Sequence, residues 1–277
     1  MGKTVLLLFL MCVVKPIYAQ LPEEIKWKHL EKTYNADSSQ LVLSLNNKLL
    51  QGQYKIPFDE GGFALYNIKK GMISGDAFWY SQGGRMECKL QYKNGVRNGL
   101  KENFDNQGKV WLRQEYKNGK LNGLDEMFSS DKLVYKSNYK NGLKHGLQYN
   151  YMSGTLISET NYIDGLKNGL SKTYSPNGEI SLEINYKDDK RNGIYRTYAN
   201  GELMMEVNYL NGIEDGLSTS YALGKKTMDF EYVNGKREGI GHMYKADGSI
   251  LFTQYYINGE MVKKDIYEKY QQSQNKK

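Results

Sequence analysis

Apolar and polar positions along this chain recur in a fixed frame. A tyrosine at Tyr92 returns as Tyr116, Tyr139, Tyr162, Tyr186, Tyr209, Tyr232 and Tyr256, each 23 or 24 residues after the last. A glycine follows at Gly99, Gly123, Gly146, Gly169, Gly193, Gly216 and Gly239, succeeded by Leu or Ile and, five positions after the glycine, by Phe or Tyr. The resulting pairs are Leu100/Phe104, Leu124/Phe128, Leu147/Tyr151, Leu170/Tyr174, Ile194/Tyr198, Leu217/Tyr221 and Ile240/Tyr244. A short fixed period of this kind marks a repeat architecture.

Pairs four residues apart suit a helix or a strand, so the flanks decide. Turn signals stand about eight to ten residues apart, which leaves room for strands of roughly five to eight residues. On one side lie Asn94-Gly95, Asn118-Gly119, Asn141-Gly142, Asp164-Gly165, Asp188-Asp189, Asn211-Gly212, Asn234-Gly235 and Asn258-Gly259, and such dipeptides suit tight hairpin turns. On the other side lie Gly108, Asp131, Gly154, Gly178, Gly201, Gly224 and Gly248. Each repeat therefore reads as one β-hairpin. In its second strand Ile180, Leu182, Ile184 and Tyr186 alternate with Ser181, Glu183 and Asn185, and Leu203, Met205, Val207 and Tyr209 do the same, as half-buried strands require. The expected fold is all-β: an elongated antiparallel array advancing roughly 10 Å per hairpin.

Composition agrees with many turns and aromatic cross-strand pairs: 29 Gly and 24 Tyr against 4 Pro in 277 residues. Residues 1–19 read as a signal peptide, with Lys3 before the apolar run Thr4–Val14 and cleavage after Ala19, so export to the periplasm or beyond is expected. Removal takes Lys3 and Lys15 and lowers the formal charge from +7 to +5. It also takes Cys12, leaving Cys88 unable to form an intramolecular disulfide. Residues 20–40 read as a helical leader, with Pro22, Glu23 and Glu24 suiting a first turn and Ile25, Leu30 and Tyr34 sharing a face. Its expected task is to cap the first strand edge of an open array. Worn repeats occupy 41–91 and clear ones 92–262, and 263–277 is a polar tail expected to dock briefly and fray.

The pattern Tyr-x-Asn-Gly-x-x-x-Gly-Leu-x-x-x-Tyr-x-x-x-Gly resembles the bacterial variant of the MORN repeat across about four fifths of the chain. Only Gly239-Ile-Gly241 carries the Gly-x-Gly of the better-known eukaryotic form. That variant is often labelled a YwqK-type antitoxin, and the resemblance implies a non-catalytic interaction module.

Candidate chemistry is sparse. The three histidines, His29, His145 and His242, lie in different parts of the chain, and the glycines recur at the repeat period as turn residues, so no catalytic, cofactor or metal site is expected. Two charged rows remain. Glu159, Glu183, Glu206 and Asp229, each three before a repeat tyrosine, should form an acidic stripe for a basic protein partner. Arg97, Lys144, Lys167, Arg191 and Arg237, two before the second glycine, should line a basic edge suited to anionic lipid or glycan. Leu121 and Glu214 interrupt that edge, and export removes nucleic acid as a target. Alternating strands in an exported chain also raise an outer-membrane barrel, which the short expected strands argue against, since spanning takes ~9–11 residues. The expectation is an exported, monomeric or weakly associated scaffold that binds a protein partner, with a structural envelope component as the alternative.

Overall fold

A computed structural model describes residues 22–34 and 40–275. The expected signal peptide lies outside the described residues. From Gly52–Pro57 onward, strands pair antiparallel in chain order, through Phe63–Lys69, Met72–Tyr80 and Met86–Lys93 into the clear repeats and on to Glu260–Val262, in a 22-stranded sheet; the short Leu143–Lys144 and Lys236–Arg237 share their partner strand with Gly146–Met152 and Gly239–Tyr244. No pairing joins the first and last of these strands among the described residues. The accessible surface is 18581 Å², against roughly 12,000 Å² for a compact monomer of this mass, as a single open layer demands.

Each Asn-Gly or Asp-Gly turn takes the left-handed pair of conformations that the sequence predicts, for example Asn211 at φ 52° and Gly212 at 93°. Asp188-Asp189 adopts the same turn at 49° and 65°. Strands are longer than expected, reaching ten residues in Lys120–Ser129 and Lys190–Ala199. The reason is that the second glycine does not end a strand; it sits in a bulge that the strand runs through, with register shifts such as that between Ile184 and Tyr186. Strand length therefore does not argue against a barrel, whereas the open pairing order does.

Most of the deeply buried apolar side chains precede the clear repeats. Ile25, Leu30, Leu43, Leu50, Tyr54, Ile56 and Ile68 form one cluster. Beyond it, burial falls to about one residue per repeat, as at Ile184, Val207 and Phe230, each two before a repeat tyrosine.

Among the described residues of the leader expected over 20–40 there is no α-helix. Glu23–Glu24 instead forms a short parallel strand on Tyr54–Lys55, a single 3-10 turn covers Trp27–His29, and Glu31–Tyr34 pairs with Leu41–Leu45, which pairs in turn with Lys48–Leu49. The first sheet edge explains the difference. Its unpaired backbone groups hydrogen-bond an extended segment, Ile25 N–H donating to Lys55 O at 3.0 Å, and the extended path puts Ile25 and Leu30 into the core cluster. A short isolated helix has little stability of its own to set against that.

A helix does form at the other end. Lys264–Gln274, within the expected tail, is α-helical, with Asp265 in its first turn, a Lys264–Glu268 ion pair and the Tyr267 ring 5.3 Å from that of Tyr255.

Candidate partner-binding surface

Three rows of side chains run along the array at right angles to the strands. Strand register places the residue three before each repeat tyrosine opposite the residue three after each second glycine: Glu159 faces Lys172, Lys172 faces Glu183, Glu183 faces Arg196 and Arg196 faces Glu206. Upstream, across the neutral Tyr149, the row continues through Lys136, Glu126, Arg113 and Glu102, and downstream, across the neutral Thr219, through Asp229 and His242. The expected acidic stripe is thus half of a ladder of alternating sign. Arg196 Nε donates to Glu206 Oε2 at 2.7 Å and its Nη1 lies 3.8 Å from Glu183, while Arg113 spans Glu102 and Glu126.

Tyrosines close the ladder on its far side. Tyr174, Tyr198 and Tyr244 donate their hydroxyls to Glu159, Glu183 and Asp229 at 2.9, 2.8 and 2.7 Å. Burial, followed by the hydrogen bond to Glu159, pushes Tyr174 up to about 12, and burial with the bond to Asp229 does the same to Tyr244. Asp229 also accepts from Lys226 and lies 3.1 Å from His242 Nδ1. Burial alone would raise the Asp229 carboxyl, but hydrogen bonds from Tyr244, Lys226 and His242 outweigh it and hold the group below the usual value. Glu159, Glu183, Glu206 and Asp229 are all less than a third exposed and already neutralised by their neighbours.

The expected basic edge occupies the opposite face and is also engaged. Each of its cations lies against the next repeat tyrosine: Arg97 on Tyr116, Lys144 on Tyr162, Lys167 on Tyr186, Arg191 on Tyr209 and Arg237 on Tyr256, at 5.0 to 5.6 Å from the ring centres. Contacts of this type contribute about 0.5–1 kcal/mol each. Glu214, which breaks the row, accepts from the Tyr209 hydroxyl instead.

The row left free is one that the sequence reading passed over, on the same face as the charge ladder. It flanks the Asn-Gly turns, at the position after each repeat tyrosine and the position after each turn glycine, which pair across the hairpin. The pairs are Lys93/Val96, Lys117/Lys120, Lys140/Leu143, Ile163/Leu166, Lys187/Lys190, Leu210/Ile213 and Val233/Lys236. All but Val96 are exposed, and among the described residues none of these lysines makes an ion pair. No carboxylate enters the row before Glu260. Lys117/Lys120 and Lys187/Lys190 set like charges directly opposite each other, which costs stability. The turns are held in file by the backbone: the amides of Gly119, Gly142, Gly165 and Gly212 each donate to a carbonyl of the preceding repeat at 2.8 Å. A signal for this row existed in the sequence, since both positions are always Lys or aliphatic from Tyr92 to Lys236.

Among the described residues no group of His, Cys, Asp and Glu is placed to hold a metal ion, and no helix is long and apolar enough to cross a membrane. Burial raises the Cys88 thiol above its ordinary value despite Lys101 and Arg97 nearby, so the thiolate is disfavoured.

With this geometry in view, the family comparisons are specific about the repeat. Residues 167–188 match the model of the MORN repeat variant, and residues 135–147 and 231–250 match that of the MORN repeat. These three segments are similar to MORN repeats. The variant match spans one Lys167-to-Asp188 hairpin, with its second glycine Gly169 and its tyrosines Tyr174 and Tyr186. A search of curated proteins returned no match. MORN repeats are generally protein- or lipid-binding modules rather than catalysts, and these repeats offer such a module one regular unpaired surface, the turn edge.

Proposed function

We propose that this protein is an exported, non-catalytic MORN-repeat scaffold that binds an acidic protein partner along its Asn-Gly turn edge. The observation that carries this reading is the free lysine row: the ladder and tyrosine-stacked cations are satisfied internally, whereas Lys117, Lys120, Lys187 and Lys190 are exposed, unpaired and opposed in like-charged pairs. Repetition at fixed spacing lets weak contacts add along an extended partner. The reading places the partner on the turn edge instead of on Glu159, Glu183, Glu206 and Asp229. It also keeps antitoxin-like neutralisation of an envelope or extracellular partner as one form such binding takes.

A second reading draws on the aliphatic pairs Ile163/Leu166 and Leu210/Ile213, exposed between the lysine pairs, which suit an anionic lipid surface. One experiment separates the two. Affinity capture from the producing cells is run with the wild type and with a variant changing Lys117, Lys120, Lys187 and Lys190 to Gln, beside flotation with vesicles containing anionic lipid. A protein released by salt and lost with the variant supports the scaffold reading. Vesicle binding lost with the variant, without a captured protein, supports the lipid reading. Equal capture by both proteins overturns the assignment of the turn edge.

A further inference from the structure

The C-terminal helix Lys264–Gln274 shows what one stretch of the ladder face accepts. Its Tyr267 ring lies 5.3 Å from that of Tyr255, and the Tyr267 hydroxyl stands over Gly239, 3.9 Å from where a Cβ would be. One turn further on, Tyr270 shares a hollow with Val233, Asn234 and Lys236 at the turn edge. The helix therefore runs back across the strands from Ile250–Ile257 towards Lys225–Val233, over the row that lies between the charge ladder and the turn edge.

Upstream this row stays open. In it the Leu or Ile after each second glycine alternates with Asn across the strand pairs, Leu147 facing Asn161, Leu170 facing Asn185 and Ile194 facing Asn208. The asparagines are committed to the sheet: Asn161, Asn185 and Asn208 donate their side-chain amides to the carbonyls of Asn168, Ile194 and Leu217 at 2.7, 2.9 and 2.8 Å. What the row presents is its aliphatic side chains, with Leu147, Leu170, Leu217 and Ile240 37%, 38%, 40% and 42% exposed. On the turn-edge side Ile163/Leu166 and Leu210/Ile213 widen it into apolar patches, the kind of surface that marks an interaction site.

We propose that the docking segment of the partner is an amphipathic α-helix laid along this row, end to end with Lys264–Gln274, with an acidic flank against the turn-edge lysines. The inference rests on the turn-edge reading above and adds the form that the partner takes. Pitch argues for a helix. Successive hairpins advance the row by ~10 Å. Seven helical residues rise ~10.5 Å and return to nearly the same face, so one apolar residue in every seven meets each Leu or Ile in turn. An extended strand returns a side chain to one face every ~6.6 Å and falls out of step with single hairpins. Charge fixes the orientation: Lys187 and Lys190 stand unpaired on one side of the row, whereas on the other Arg196 is already held by Glu183 and Glu206, so acidic residues belong on one flank only.

The test is fluorescence anisotropy on the purified protein with a labelled peptide of about four heptads, long enough to span about four hairpins, carrying Leu at the first and fourth position of each heptad, Glu along one flank and Ala and Gln elsewhere. A peptide of the same composition with Leu at alternate positions is the control. Two variants are compared with the wild type, Leu170→Gln with Leu217→Gln, and Lys187→Gln with Lys190→Gln. The helical peptide is expected to bind the wild type at least about tenfold more tightly than the control, to lose about tenfold in the leucine variant with its salt dependence kept, and to lose affinity in the lysine variant with its salt dependence flattened. Circular dichroism verifies folding, and Leu147→Gln with Ile240→Gln decides if the first leucine pair does not fold. Equal binding of the two peptides, or unchanged affinity in a folded leucine variant, overturns the helix; if the lysine variant still loses affinity in that case, the turn-edge reading stands without it. A leucine variant that loses affinity beside a lysine variant that does not supports the helix and removes the turn-edge reading. Binding of anionic vesicles through the same leucines, with neither peptide bound, overturns the helix in favour of a lipid surface.

Discussion

Replacing Gly216 with Ala tests why the second glycine of the repeat is invariant along this array. Gly216 sits at φ 101°, where a residue with a Cβ is strained by about 1–3 kcal/mol. The added Cβ would stand 3.2 Å from Asn208 Cβ and 3.7 Å from its Cγ, next to the backbone and not at the free end of a long side chain. Asn208 would have to turn aside and give up the 2.8 Å bond that its Nδ2 donates to Leu217 O, a further ~1 kcal/mol. The expected loss is about 2–4 kcal/mol, read as a lower urea midpoint by far-UV circular dichroism. Gly248→Ala is the control, because Gly248 has a similar φ of 86° with open space around it, and it should carry only the backbone part. In the background of Asn208→Ala the Gly216 substitution should cost about 1 kcal/mol less than in the wild type, since the bond to Leu217 O is already gone while the contact with the Cβ at position 208 remains. The reasoning fails if Gly216→Ala costs no more than Gly248→Ala, or if the two changes at 208 and 216 are additive.

Two further outcomes follow from the charge ladder. Arg196→Gln removes the residue joining Glu183 to Glu206 and should lower stability by about 1 kcal/mol, a modest figure because the guanidinium is partly solvated; the loss should shrink when Glu206→Gln is already present. Asp229 ionises in the fold below its ordinary value of 3.8, so its contribution is complete above that pH and is lost as pH falls through the lower folded value. Urea midpoints measured from about pH 5 down to 2 should therefore fall less steeply for Asp229→Asn than for the wild type, and identical slopes would contradict the hydrogen-bonded account of this carboxylate.

How far the fold was legible depends on how local its causes are. Asn211-Gly212 and Gly216 dictate their own backbone conformations within a few residues, and the alternation from Ile180 to Tyr186 assigns two faces to a strand without reference to any other. Repetition then turns one hairpin into an array, so the fold class and the strand order could be read along the chain. What could not be read is what each side chain meets across the sheet, because that depends on register through the bulges. Only the paired strands show that Glu183 stands between Lys172 and Arg196, so that an apparent acidic stripe is an internally neutralised ladder, or that Arg191 lies on Tyr209 and is not a free cation. The same holds for the ends. The leader has a helical pattern by itself and becomes strand because the edge at Gly52–Pro57 supplies backbone partners and a place to bury Ile25 and Leu30. The turn edge is the converse case: its Lys and aliphatic positions were plain in the sequence, but that nothing neutralises them is a property of the tertiary structure, since pairing across the hairpin puts lysine beside lysine and keeps every carboxylate of the ladder on a different row.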